Sequence, residues 1–130
     1  MSKRVLKIIS DAMSALGIEY GFGEYPGNAE GKTVYPYFVG EYTETEPMYE
    51  DGMQECTFLL TGFSRGSWLA LEDAKERIES YFDKVDGKTV MAENGSAVAI
   101  FYANALIVHT GDAELKRIQI NLSCKEWSVK

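Results

Sequence analysis

Apolar residues recur at helical spacing in two parts of the chain. Over residues 2–16 they return every three or four positions, which is the period of one helix face, and Gly17 then supplies a natural stop. The same period returns over residues 68–82, where Ser67 is placed to cap the first turn. We therefore predict two amphipathic helices. Their apolar faces consist of Val5, Ile9, Ala12, Met13 and Leu16 in the first and Leu71, Ala74, Ile78, Tyr81 and Phe82 in the second.

Five further segments have the composition or the alternation of β-strands. They cover residues 33–43, 55–63, 88–92, 97–108 and 115–125. Pro36 places the first at a sheet edge or marks its first residues, Asn94-Gly95 is a strong hairpin signal, and Asn104 is a candidate bulge. The order α-β-β-α-β-β-β predicts one α+β domain over residues 1–130. Its sheet should be antiparallel or mixed, with both helices packed on one face.

Two connecting segments have unusual compositions. Residues 17–32 combine several glycines with Tyr20, Phe22 and Tyr25, which predicts an ordered loop with room for a short strand. Residues 44–53 are acidic and predict the tip of a hairpin between two neighbouring strands. A hairpin tip of this kind is placed to reach a partner.

Negative charge is concentrated in the first half of the chain. The formal net charge is −7, and Lys32 is the only basic residue between Ile8 and Ser64. An acidic surface repels a phosphate backbone and lacks the counterion release that drives nucleic-acid binding. Tight binding of DNA or RNA is therefore disfavoured, whereas a surface that DNA passes without sticking is compatible with this charge.

The cysteines and the hydropathy bear on the compartment. Cys56 and Cys124 both fall inside predicted strands, where a free thiol behaves as a small apolar side chain. We expect them to stay unpaired in a reducing cytoplasm. No apolar run approaches the ~20 residues that span a bilayer, and the basic start of the chain lacks a signal-peptide core. We expect no membrane segment.

The segment Gly62-Phe63-Ser64-Arg65-Gly66 matches the G-x-S-x-G pattern of a hydrolase nucleophile elbow. Asp83 or Asp86, followed by His109, would complete the chain order of a catalytic triad. That elbow belongs to a parallel sheet of βαβ units and needs a preceding oxyanion loop, and the sequence before Ser64 indicates neither. We therefore expect no catalytic residue. The interpretation is a structural corner, with a tight Ser64-Arg65-Gly66 turn, formed by Gly62, Ser64, Arg65 and Gly66.

Two other patterns suggest ligand chemistry. Residues 27–33 resemble a Walker A loop but lack one spacer residue, and a strand follows them where a P-loop needs a helix. With one histidine and two distant cysteines, the chain lacks convincing zinc ligands. The acids between Glu41 and Glu55 do not follow the EF-hand pattern. Weak divalent-ion binding there is a minor alternative to a solvated or partner-facing loop, and we expect no metal or cofactor.

Aromatic residues are dense between positions 20 and 49. They are Tyr20, Phe22, Tyr25, Tyr35, Tyr37, Tyr42 and Tyr49. Core packing explains some of them, and a subunit interface explains such a set equally well, because tyrosine is enriched at interfaces.

The order and size of the elements resemble the tail terminator, or tail completion, proteins of long-tailed phages and prophages. In that family an N-terminal helix precedes a strand that opens with a Pro-Tyr element, as Pro36-Tyr37 does here. The partner strand of the hairpin ends in a serine and a base, like Ser64-Arg65, and leads into an amphipathic helix like residues 68–82. A meander that ends in an alternating strand, like residues 115–125, completes a likeness that covers nearly the whole chain.

The resemblance implies a structural protein without enzymatic activity. It implies a ring, expected to be a hexamer, that caps the finished tail tube, joins it to the head connector and lets genome DNA slide through its lumen without specific binding. The partners would be further copies of the chain, the tail tube protein and the head–tail connector protein. The ring would sit at the head-proximal end of the virion tail, after assembly in the host cytoplasm. Candidate interface or lumen residues are Tyr42, Glu44, Glu46, Met48, Tyr49, Glu50 and Asp51.

Three other interpretations stay open. The chain could be another small head–tail joining or minor virion component of similar topology. It could also be a monomeric α+β domain that binds a small ligand in its aromatic loop. The hydrolase is the remaining alternative.

Overall fold

The chain folds into two helices and one six-stranded sheet. The structure is a computed structural model that describes residues 3–44, 53–83, 85–91 and 95–127. In chain order its elements are α1 (Lys3–Ala15), β1 (Glu19–Phe22), β2 (Tyr37–Glu44), β3 (Met53–Arg65), α2 (Trp68–Tyr81), β4 (Lys88–Met91), β5 (Ala97–Val108) and β6 (Leu115–Trp127). The α+β class is thereby confirmed.

The sheet is mixed, with the strand order β1-β2-β3-β6-β5-β4. Four neighbouring pairs are antiparallel, and β1 runs parallel to β2. The predicted element order lacked β1, which lies inside the glycine-rich segment that we expected to be a loop with room for a short strand. The prediction of five strands is therefore wrong by one. β1 forms because its four residues pair with residues 37–40 of β2.

Both helices pack on one face of the sheet, as predicted. On the other side of this core are the strand residues with even numbers in β2, β3 and β6, because successive side chains of a strand point to opposite faces. The fully buried core side chains include Ile9, Met13, Phe38, Phe58, Leu60, Leu71, Ile78, Phe82, Ile100, Ile118, Ile120 and Leu122. We call this side of the sheet the core face and the opposite side the outer face.

A local signal fixes the start of α2. Ser67 has an extended backbone, and its hydroxyl accepts a hydrogen bond from the amide of Ala70 at 3.3 Å, which satisfies an otherwise unpaired donor of the first turn. Asp73 and Arg77 form the expected pair four residues apart, at 3.3 Å. The helix face with Leu71, Ala74 and Ile78 is fully buried.

The predicted corner differs from the observed one. Ser64 and Arg65 do not form a turn, because they continue β3 and pair with Lys116 and Leu115 of β6. The chain turns at Gly66 alone, whose φ is +81°. The long partner strand explains the difference, since β6 extends the hydrogen-bonded ladder to the end of β3.

β5 contains the expected irregularity. Tyr102 lies opposite Leu122 and Asn104 lies opposite Asn121, so Ala103 has no partner in β6. This arrangement is a β-bulge. It confirms the interruption that Asn104 indicated, to within one residue.

Candidate interaction surface

The aromatic residues of the first half divide between the two faces of the sheet. Tyr20, Phe22 and Tyr42 belong to the core face, where Phe22 lies 6.1 Å from the ring centres of both Tyr42 and Phe58. Tyr25, Tyr35 and Tyr37 lie on the outer side. The described members of the aromatic set therefore form two separate groups, one on each face of the sheet.

On the outer face a row of stacked side chains crosses three strands. The ring of Tyr25 stacks on Tyr37 at 4.5 Å between centroids, and Tyr37 stacks on Phe63 at 5.1 Å. The guanidinium of Arg117 then lies 5.5 Å from the centre of the Phe63 ring. We call these four residues the aromatic–arginine row. It forms because Tyr37, Phe63 and Arg117 occupy one register level of β2, β3 and β6.

Neighbouring groups extend this row. Tyr35 lies 5.5 Å from Tyr37 and is 38% exposed. Arg65 donates a hydrogen bond to the Tyr35 hydroxyl, which is the main reason that the pKa of Arg65 is raised. A carboxylate oxygen of Asp112 lies 3.9 Å from the same guanidinium. The surface therefore combines flat aromatic rings with two arginines, the composition typical of protein interfaces.

The loop before β2 is held against this row by its own hydrogen bonds. The Tyr25 hydroxyl donates to Glu19 at 3.0 Å and accepts from the amide of Val34 at 3.4 Å. The side-chain oxygen of Asn28 accepts hydrogen bonds from the backbone amides of Glu30 and Lys32, at 2.9 and 3.0 Å. These amides are therefore engaged with Asn28 and do not point at an anion, which a Walker A loop would require.

Of the predicted interface residues, the structure describes Tyr42 and Glu44. Both lie in β2 and are exposed, Tyr42 at 41%. The antiparallel pairing of β2 with β3 confirms the predicted hairpin. Its tip lies outside the described residues, and so do the candidate residues Glu46, Met48, Tyr49, Glu50 and Asp51.

Ser64 is a buried strand residue. Only 2% of its surface is exposed, and it lies on the core face of β3. A nucleophile elbow instead presents its serine at the top of a sheet on a strained turn. The position of Ser64 supports the structural interpretation. Of the other candidate triad residues, His109 lies just after β5. The carboxylate of Asp83 accepts a hydrogen bond from the amide of Val85 at 2.7 Å.

Gly62 and Gly66 have different roles in the corner. Gly66 has positive φ and open space around it, so it is required by the backbone. Gly62 has no positive φ. A Cβ atom there would instead lie 2.5 Å from the ring of Phe38, so this glycine is required by packing.

Cys56 and Cys124 are free and face each other across β3 and β6. Both are buried, with 8% and 0% of their surface exposed. Because the two thiols share a hydrogen bond, the pKa of Cys56 is lowered and that of Cys124 is raised. The sequence placed both residues in strands but could not indicate that they are neighbours.

A groove of about 500 Å³ bears on the small-ligand alternative. It is lined by Leu16, Asp73, Glu76, Arg77, Ser80 and Tyr81. Arg77 is already engaged there, with the carbonyl oxygen of Leu16 and with Asp73. The groove lies on the helical side and not at the aromatic loop, where the small-ligand alternative places its pocket.

Within the described residues, no three His, Cys, Asp or Glu side chains are grouped as metal ligands would be. In the same part of the chain, neither helix has the length and apolar character needed to cross a bilayer. Comparisons with protein-family models and with curated proteins give no match to this chain.

The sequence pattern did not single out Phe63 and Arg117 as candidate interaction residues. A signal was present for Arg117, because residues 115–125 alternate and place it on the polar face. Nothing in the sequence indicated that Phe63 and Arg117 would be cross-strand neighbours, since the register of two strands distant in the chain is set by the whole sheet.

Proposed function

We propose that this chain is a structural virion assembly protein, which forms a ring at the end of a phage tail tube and joins the tube to the head connector. The observation that carries the proposal is the aromatic–arginine row on the outer face. No described helix packs over that face, and Tyr35 and Arg65 beside the row are well exposed. Stacked tyrosines with arginines are the side chains that contribute most to binding at protein interfaces.

The element order supports the same proposal. Pro36-Tyr37 stands at the start of β2, Ser64-Arg65 ends β3, and α2 follows after a two-residue connection. These are the features on which the resemblance to tail terminators rests. The proposal of a ring follows from that resemblance, because a heterologous interface that closes on itself produces a ring.

The charge distribution is consistent with a channel for DNA. The base-poor stretch between Ile8 and Ser64 places exposed Glu41 and Glu44 on β2. A lumen lined by such residues would not retain a phosphate backbone. The partners proposed for the ring are the tail tube protein and the head–tail connector protein.

Electron microscopy of tail tubes tests the proposal. The purified chain is incubated with tubes, and the tube ends and the length distribution are recorded. We expect a ring on one end and tubes of limited length. If the chain neither caps tubes nor limits their length, the terminator assignment is wrong. If it binds connectors but not tubes, the neighbouring head–tail joining role is the correct one.

Two variants locate the surface responsible. Tyr35→Ala combined with Arg117→Ala removes the exposed ring beside the row and the arginine of the row itself, and capping should be lost. Lys7→Ala serves as the control, because Lys7 is a highly exposed residue of α1 and pairs with Asp11 one turn away. Capping that survives the first change and fails in the second would contradict the role of the row.

A further inference from the structure

At each edge of the sheet the outermost strand is shorter than the strand next to it. On one edge β4 pairs only with residues 97–100 of β5. Beside it, the carbonyl oxygen of Phe82 accepts a hydrogen bond from the amide of Tyr102 at 2.6 Å. Beyond Tyr102, no described strand pairs with the outward edge of β5. On the opposite edge β1 pairs only with residues 37–40 of β2, so no described strand pairs with residues 41–44 on that side.

The short edge strand β1 lies at the same height in the sheet as the unpaired part of β5 on the opposite edge. Each level can be followed through the register of the five strands. Residues 19–22 of β1 pair with 37–40 of β2, these with 63–60 of β3, these with 117–120 of β6, and these with 108–105 of β5. β1 and the open part of β5 are therefore at the same height on opposite edges, and the open part of β5 is long enough for all four residues of β1.

The open edge lacks the usual protection. Residues 103–108 contain no charged residue and no proline, the devices with which proteins prevent strands from adding to an edge. Leu106 and Ile107 are 47% and 56% exposed. The bulge at Ala103 lies at one end of the segment and leaves the residues after it regularly paired with β6. An edge of this kind can accept a further strand.

A groove accompanies this edge on the core face. Its volume is about 270 Å³, and it lies between β5 and α2. The lining residues are Glu72, Lys75, Ala105, Leu106, Ile107 and Ile118. An added strand would direct every second side chain into this groove.

We propose that β1 of a second copy adds to the open edge of β5 and places its Phe22 in this groove. This inference rests on the proposed function only for the premise that copies assemble. β1 runs antiparallel to β5 within one sheet, because β1 is parallel to β2 and the three intervening pairings are antiparallel. A sheet continued into the next copy gives the antiparallel pair β5–β1.

The side chains match the proposed pairing. Phe22 belongs to the core face of β1 and is 45% exposed. In a continuous sheet it stands at the level of Ala105, on the same face as the groove. Lys88 of β4 then reaches the level of Glu44 in the neighbouring copy, since Lys88, Ile100, Cys124, Cys56 and Glu44 share one level of the sheet.

The contact is heterologous, because β1 and β5 are different surfaces of the chain. Repetition of such a contact forms a closed ring or an open filament. A pairing of β5 with its own copy would instead be isologous and would stop at a dimer. This difference supplies the test.

The test uses the single variants Glu19→Cys and Val108→Cys. These residues lie at the same level and on the outer face, so Phe22 and the groove stay intact. The native cysteines are buried, and the unmodified chain gives the background under oxidised glutathione. We expect a disulfide-linked dimer, of two 14.5 kDa subunits, in a concentrated mixture of the two variants and only background with each alone. The chain with both substitutions should give a ladder of higher oligomers.

Other outcomes overturn the inference. Efficient dimerisation of Val108→Cys alone would indicate isologous β5 pairing, and a mixture at background level would exclude the β1–β5 contact. As a second check, Ile107→Lys should abolish cross-linking in the mixture, whereas Leu69→Lys should retain it, because Leu69 is 82% exposed and does not line the groove. Far-UV circular dichroism verifies that both variants are folded.

The same cysteine variants separate this inference from the proposed function. Tubes that are capped without the Glu19–Val108 disulfide would retain the terminator function and exclude the edge pairing. Cross-linking of the two variants, together with an unmodified chain that ignores tubes, would retain the edge pairing and exclude the terminator function.

Discussion

Phe38 lies across Gly62 on the neighbouring strand. The two residues are register partners in β2 and β3, and Phe38 is fully buried. Its ring occupies the space that a side chain at position 62 would need, since a Cβ atom would lie 2.5 Å from Cε2 of the ring. The core therefore depends on a glycine whose backbone conformation is ordinary.

Gly62→Ala should destabilise the fold by overpacking. We expect a loss of about 1–3 kcal/mol in the free energy of unfolding, because the Phe38 ring must leave its rotamer or β2 must shift. Urea denaturation measures the change. Phe38→Leu introduced into Gly62→Ala should recover part of the loss. An unchanged urea midpoint in the single variant would show that the ring moves freely.

Gly66→Val should also destabilise the fold, for a different reason. The φ of +81° is unfavourable for a β-branched residue, and the cost is about 1–3 kcal/mol. Gly66→Asn should lose less, since asparagine tolerates the left-handed region better. Equal thermal midpoints for the valine and asparagine variants would contradict a backbone origin.

Tyr20→Phe should stabilise the chain. The Tyr20 hydroxyl is buried and has no hydrogen-bond partner among the described residues, because it lies over Gly40, where a Cβ would come within 2.5 Å of it. Removal of an unpaired buried polar group should raise the free energy of unfolding by about 1 kcal/mol. A lower stability of Tyr20→Phe in urea would indicate that the hydroxyl is hydrogen-bonded.

The same residue predicts a decline of stability at high pH. Burial raises the pKa of Tyr20 from 10.0 to about 12. Between these values the unfolded chain releases the phenolic proton before the folded chain does, so stability is full below pH 10 and falls as the pH rises towards 12. Partial solvent access limits the fall to at most about 2 kcal/mol. Stability measured against pH should show a weaker decline in Tyr20→Phe.

Ser64 should not react as a nucleophile. It is buried in β3, where its neighbours are strand residues. We expect no covalent labelling by a fluorophosphonate probe, with Ser64→Ala as the matched control. Labelling that disappears in Ser64→Ala would restore the hydrolase hypothesis.

The helices could be predicted from sequence almost to the residue. The predicted ranges are 2–16 and 68–82, and the observed helices are Lys3–Ala15 and Trp68–Tyr81. The agreement is close because periodicity and capping are local signals. β1 has only four residues and no pattern of its own. It is a strand because β2 lies beside it, and such pairing is not visible in a local window.

The candidate surface was less accessible from sequence. Tyrosine density fitted core packing and a subunit interface equally well, and the sequence could not divide the aromatic set between two faces. The aromatic–arginine row depends on the registers of β2 with β3 and of β3 with β6. Phe63 and Arg117 are 54 positions apart in the chain, and only the assembled sheet makes them neighbours.

The bulge at Ala103 acts as a change of phase in β5. Before it, even-numbered Val98, Ile100 and Tyr102 face the core, and after it Ala105 and Ile107 do. The extra residue places Asn104 on the outer face, where it accepts a hydrogen bond from Asn121 at 2.6 Å. If Ala103 instead paired with Asn121, strict alternation would continue and would turn Asn104 inward and Ile107 outward. Which side chains of this strand face the helices is therefore decided by a single alanine that pairs with no residue of β6.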